Sequence, residues 1–295
     1  VDSPLLILGG PGQLGGAVLE ALGEKALRAE EFLLNQGPAA RKSAPARVDV
    51  TELKTLREVF ARARPKAVLN CAAYTKVDQA EDEEERAELV NVQGAANVAR
   101  AAKEVGARVI HLSTDFIFDG AKGAPYTEAD PPAPINAYGR TKWAGENAVR
   151  RENPDHLILR TAWLFGPHGQ NFVRTIIRLG RKTDQLNVVD DQVGSPTFTL
   201  DLARALPRLL TLNLTGTFHL VNQGQASWFA LAKEALKTIG LKVKLSPITS
   251  DRLGRKALRP AYSVLACERL SGLGVVLRPW EEALEECLRH PLWEA

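Results

Sequence analysis

The 295-residue chain is short of cysteine, of net charge and of long apolar runs, and each shortage removes a class of function. Its three cysteines, Cys71, Cys267 and Cys287, are an odd number without Cys-x-x-Cys spacing. That argues against a disulfide scaffold and against a structural zinc site. The five histidines show no His-Glu-x-x-His or similar spacing, so the sequence assigns no metal ligand. A formal charge of +3 without a dense Lys/Arg tract gives no electrostatic support for a nucleic-acid partner or a membrane surface. No stretch approaches the length of a membrane-spanning helix. The Leu5–Leu8 run has no basic segment before it, so no secretory signal is expected, and the cytoplasm is the simplest compartment. The densest charge run, Glu81-Asp82-Glu83-Glu84-Glu85, is acidic and reads as a solvated first helical turn rather than a metal site.

What is present is ordinary globular material, with 45% apolar and 25% charged residues. The first half alternates short apolar runs with helical patterns. Strands are expected at Leu5–Leu8, Glu31–Leu34, Ala67–Asn70, Val109–Ser113 and His156–Thr161. Helices are expected at Ala17–Leu27, Leu53–Ala63 and about Arg86–Val105, and again just after Asn136. That alternation predicts an α/β fold, a Rossmann-type doubly wound parallel sheet with helices on both faces. Beyond Phe165 the alternation weakens, which predicts a smaller C-terminal substrate-binding lobe. Residues 1–165 form mainly the cofactor domain in this reading. Residues 166–295 form mainly the lobe, with about 190–222 returning to the first domain.

Gly9-Gly10-Pro11-Gly12-Gln13-Leu14-Gly15 follows the first strand and opens a helix. It fits Gly-x-x-Gly-x-x-Gly through Gly9, Gly12 and Gly15, and also Gly-x-Gly-x-x-Gly from Gly10. Glycine lets the backbone approach a pyrophosphate, and the helix N-terminus supplies N–H donors and a positive dipole end. An acidic residue about 20 positions on would favour NAD. Asn35 sits there instead, with Arg41 and Lys42 following, so a preference for NADPH over NADH is predicted. The competing reading makes Arg41 and Lys42 solvated loop charges.

Tyr138 and Lys142 lie four residues apart, hence on one face of a helix. An ammonium beside a phenol favours the phenolate and lowers the tyrosine pKa, which suits proton transfer near neutral pH. Alone this spacing is common. With the glycine loop and Ser113-Thr114-Asp115 it becomes a constellation.

That constellation resembles the extended short-chain dehydrogenase/reductases, and within them the dTDP-4-dehydrorhamnose reductases. The matching blocks run almost the whole length, among them NCAAYTKVDQAE from Asn70, STDFIFDG from Ser113, AYGRTKWAGE from Ala137 and VVDDQVGSPT from Val188. The resemblance implies hydride transfer from a nicotinamide to C4 of dTDP-6-deoxy-L-lyxo-4-hexulose, giving dTDP-L-rhamnose. It implies Thr114, Tyr138 and Lys142 as catalytic residues. Asp49, Val50, Ala72, Ala73 and Tyr74 would join Gly9, Gly12, Gln13, Leu14 and Gly15 at the cofactor. Thr75, Val77, Asp115, Phe116, Trp163 and Asn171 would meet the substrate, Trp163 having a core aromatic as its alternative. Phe116 departs from the tyrosine usual there and puts one hydroxyl contact in doubt. The resemblance also implies a homodimer, although some relatives are monomers, and leaves Mg2+ at a dimer interface undecided. Two alternatives stay open. One is a non-catalytic NADP-binding regulatory subunit like that of methionine adenosyltransferase. The other is a different sugar-nucleotide reductase or epimerase. A dehydratase is disfavoured, because Asp115 is followed by Phe116 and not by glutamate.

Overall fold

The computed structural model describes residues 5–32 and 48–293. Leu5–Leu8 (β1) is buried throughout and feeds the glycine loop, and Gln13–Leu22 (α1) begins directly after it. Gly23 stops α1 at φ 52°, a conformation that favours glycine. This stop comes before the end of the expected Ala17–Leu27 helix. The second strand therefore forms early, at Ala26–Arg28 (β2), and not at Glu31–Leu34. Glu31 lies in the 3-10 turn Ala29–Phe32, and Leu34 falls outside the described residues.

Leu53–Ala63 (α2) and Ala67–Asn70 (β3) form where the apolar spacing puts them. The long helix expected near Arg86–Val105 is interrupted. Glu84–Glu88 passes into a π turn, Leu89–Gly94, and then into Ala95–Glu104 (α3). Arg108–Thr114 (β4), Ala137–Glu152 (α4), His156–Thr161 (β5), Thr199–Leu212 (α5) and Gly216–His219 (β6) complete the frame. A Cβ at Gly145 in α4 would stand 2.1 Å from the Asn91 carbonyl, so α4 sits hard against the π turn.

The six strands run parallel in the order β6-β5-β4-β3-β1-β2. Alternate residues of β1 point to opposite faces. Leu5 and Ile7 join the core under α1 and α5, and Leu6 and Leu8 join the core under α2 and α3. Both faces are thus covered, as a parallel sheet requires. The strand order reverses between β1 and β3, where open α/β sheets bind ligands. A smaller unit pairs Gln185–Val189 with Lys244–Ile248 and packs them on the helix Trp228–Thr238. Among the described residues, no helix is long and apolar enough to cross a membrane.

Candidate active site

A cavity of about 500 Å3 opens at the C-terminal ends of β3, β4 and β5, beside the loop that follows β1. Gly12, Gln13, Leu14 and Gly15 form one wall, and Thr114, Tyr138 and Lys142 line it as well. The glycine loop is tightly built. Gly9 has φ 79°, and a Cβ there would stand 2.9 Å from the Ala72 nitrogen. A Cβ at Gly15 would stand 2.3 Å from the Gly9 carbonyl. No side chain caps α1, so its first N–H groups are left for another acceptor. This cradle fits the pyrophosphate of a dinucleotide.

The opposite wall is set by how α4 starts. Asn136 Oδ1 accepts from Gly139 N at 2.7 Å, and Glu81 Oε1 accepts from Ala137 N at 2.8 Å. A Cβ at Gly139 would stand 2.1 Å from the Phe116 carbonyl, so glycine lets the first turn of α4 press against the end of β4. Tyr138 thereby lines the cavity together with the Thr114 hydroxyl. The same hydroxyl donates to Asp115 Oδ1 at 3.0 Å. Phe116 meets the Tyr138 ring edge-on at 5.7 Å.

Burial pushes the Tyr138 phenol up to about 12; the nearby Thr114 hydroxyl opposes the rise and the Asp115 charge adds to it. The expected lowering by Lys142 is not seen. The ammonium donates instead to the Leu112 carbonyl at 2.6 Å, and Glu146 is the charge that supports it. Burial dominates there too and brings Lys142 down to about 8. The tyrosine therefore holds its proton at neutral pH, which is the state a proton donor needs. Burial raises Asp115 to about 6 against the bonds from Ser263 and Thr114. It also raises the Cys71 thiol to about 12, too high for a reactive thiolate.

The family model for the RmlD substrate-binding domain matches residues 3–292. The chain belongs to the RmlD substrate-binding family. A dTDP-4-dehydrorhamnose reductase of Streptomyces griseus is 43% identical over 263 residues, 86% of each chain. A dTDP-4-keto-6-deoxy-D-glucose reductase of Streptomyces niveus is 42% identical over 242 residues, 81% of this chain and 84% of its own. Among solved structures, a dTDP-4-dehydrorhamnose reductase of Bacillus anthracis in complex with NADP is 38% identical with a TM-score of 0.87. It covers 98% of this chain and 99% of its own.

In this RmlD-family chain the remaining expected residues separate into two groups. Ala72, Ala73, Thr75, Asp115 and Trp163 line the cavity. Trp163 sits at φ 45°, stacks on Trp228 with ring centroids 3.5 Å apart, and covers Gly194, where a Cβ would stand 2.4 Å from the indole. Asp49, Val50, Tyr74, Val77, Phe116 and Asn171 do not line it. Asp49 accepts from Thr51, Val50 packs over Gly94, and Val77 opens a short helix, Val77–Ala80. Tyr74 donates its backbone N–H to Asn91 and its hydroxyl to Glu83. Asn171 caps the helix Phe172–Gly180 and donates its amide to the Gly166 carbonyl at 2.9 Å. Asn35, Arg41 and Lys42 lie outside the described residues.

Sequence reasoning missed Leu112, Thr161, Gly169 and Gln170 on the cavity wall. It also missed Arg28. This exposed residue ends β2 opposite Ile7, with its side chain 3.6 Å from where a Gly10 Cβ would be. Gly23 was the signal, since a helix stop there moves the strand end to Arg28. The acidic run is more than a solvated turn. Glu81 holds the start of α4, Glu84 grips Arg140 through two bonds of 2.9 Å, and Asp82 pairs with Lys256.

Proposed function

We propose that this chain reduces the C4 ketone of dTDP-4-dehydro-L-rhamnose to dTDP-L-rhamnose with NADPH. The observation that carries the reading is the convergence of Thr114, protonated Tyr138 and Lys142 in one cavity with the glycine loop. Gly9, Gly12, Gln13, Leu14 and Gly15 would hold the cofactor pyrophosphate, and Ala72 and Ala73 would flank it. NADPH, when bound, supplies the hydride. The protein's own task is the oxygen. A carbonyl that gains hydride at carbon develops negative charge on oxygen, and donors placed there in advance lower the barrier. The Thr114 hydroxyl orients that oxygen. Tyr138 passes it the phenolic proton, and water returns a proton to the phenolate. The Lys142 ammonium, kept charged by Glu146, would hold the nicotinamide ribose of the cofactor beside that oxygen.

Arg28 supports NADPH over NADH, because a cation at the end of the second strand suits a 2′-phosphate where a carboxylate would repel it. In the same reading residues 1–165, with about 190–222, hold the cofactor and the rest holds the sugar nucleotide. The enzyme is cytoplasmic and homodimeric. Its substrate is a small molecule, without a nucleic-acid or membrane partner.

The reaction is tested with NADPH deuterated at nicotinamide C4. The expected result is one NADPH consumed per sugar and deuterium at sugar C4. Release of the sugar without net cofactor consumption would replace the reductase with an epimerase.

A further inference from the structure

We propose that Arg255 binds the diphosphate of the sugar nucleotide, at the mouth of a small pocket behind Trp163. This rests on the sugar-nucleotide reading above and adds the residue that recognises its phosphates. The pocket, about 30 Å3, is walled by Phe116, Trp163, Trp228, Arg255 and Arg259. Trp163 lines both this pocket and the larger cavity, and Phe116 lies one ring away from Tyr138. The small pocket therefore adjoins the larger cavity at Trp163.

The charges around the pocket do not cancel. Arg259 is committed to Asp78, with bonds of 2.9 and 2.7 Å to the two carboxylate oxygens. Lys256 is committed to Asp82. Asp78 also accepts the Ala257 backbone N–H at 3.1 Å, so the backbone of this segment is anchored. Arg255 alone makes no hydrogen bond or ion pair with any described residue. Two guanidiniums thus face one carboxylate, leaving one positive charge over. Arg255 is exposed at the pocket mouth and faces the like charge of Arg259, which only Asp78 opposes. An anion removes that repulsion.

The pocket has room for about one water molecule, so the phosphates lie at its mouth, within the sweep of a long side chain on an anchored backbone. A guanidinium fork matches phosphate oxygens in pairs and is the side chain suited to that task. The Trp163–Trp228 stack forms the apolar side of the same pocket.

The test is calorimetric titration of the NADP+-loaded protein with dTDP and, separately, with thymidine. Wild type, Arg255→Ala and Arg255→Lys are compared, and turnover of the dTDP-4-keto sugar is followed in parallel. The expected result for Arg255→Ala is dTDP binding weakened by about 10- to 100-fold, the range for one lost charged hydrogen bond. Thymidine affinity, NADP+ affinity and kcat should hold within about threefold while KM rises, and Arg255→Lys should fall between. Equal dTDP affinity in wild type and Arg255→Ala overturns the inference and leaves the reductase reading standing. Loss of thymidine and dTDP affinity together in Arg255→Ala also overturns it, because the role is then structural. A wild type that binds no dTDP overturns both. A wild type whose dTDP binding depends on Arg255 but which does not reduce the sugar supports the inference and removes the reductase reading.

Discussion

Lys142 and Arg28 are the residues whose behaviour separates this account from one built on motifs alone. Burial lowers the ammonium to about 8 and raises the phenol to about 12, so the first group to change charge above neutrality is the lysine. A group with a depressed pKa loses its proton early on the alkaline side. We therefore expect kcat/KM for reduction to fall as pH rises through about 8, and Lys142→Arg to move that limb upward. A limb near 10 in the wild type would assign it elsewhere. For the cofactor, Arg28→Ala should weaken NADPH binding by about tenfold or more while NADH changes less than about twofold. Equal losses for both would show that Arg28 does not read the 2′-phosphate. Tyr138, Lys142 and Thr114 were legible because a four-residue spacing survives folding unchanged and because a strand end beside a glycine loop has few places to go. Arg28 was not legible, because finding it requires the length of α1, which Gly23 decides through backbone conformation rather than hydropathy.

At the scale of the element, α4 is the piece on which the site is mounted. Tyr138, Lys142, Glu146 and Arg150 follow one another at four-residue intervals, so one helical face carries the donor, the cation and the charges that support it. Its N-terminus is held by the acidic run of another segment. The Glu81 bond to the Ala137 N–H fixes the first turn, whereas Glu84–Arg140 is an exposed pair. Exposed pairs contribute about 1 kcal/mol or less, and a lost cap costs about 1 kcal/mol. Glu81→Ala should thus lower both Tm and kcat, while Glu84→Ala should leave kcat within about twofold. The reverse pattern in thermal melts and initial rates would contradict this role for the run. The sequence pattern marked the start of α4 correctly because the proline- and glycine-rich stretch from Gly120 ends at Asn136, which caps the helix. It could not reveal the π turn at Leu89–Gly94, whose partners are the contacts of Asn91 with Tyr74 and Thr141 from other segments.

Across the whole molecule, a buried network ties the site to the sheet. Glu146 on α4 receives two bonds of 2.9 Å from Arg160 on β5, one of 2.5 Å from Ser113 on β4 and one of 2.7 Å from Arg150. Arg150 reaches on to Thr217 on β6 at 2.9 Å. Burial alone would raise Glu146, but these donors, Arg160 above all, hold it below the usual carboxylate range. Breaking one partner of such a pair strands the other, so Glu146→Gln should cost about 3–5 kcal/mol in denaturant unfolding. A loss under 1 kcal/mol would mean that the network is not structural. The alternation of strands and helices made the doubly wound sheet legible from sequence, since each element carries its own period. The edge pairing of β6, which lies in the stretch expected to return to the first domain, and the pocket of Arg255 depend on long-range pairing that no local period encodes. The central claim joins all three scales, since the fold brings a protonated tyrosine to a carbonyl oxygen beside a nicotinamide. Its most direct test is single-turnover NADPH oxidation with dTDP-4-keto-6-deoxyglucose and the 3,5-epimerase, in wild type and Tyr138→Phe. The account predicts epimerase-dependent oxidation that falls by about 10²–10⁴-fold in the variant, the range for losing a general acid, with NADPH affinity unchanged. Full-rate oxidation by Tyr138→Phe, or none by a wild type that binds NADPH, would contradict it.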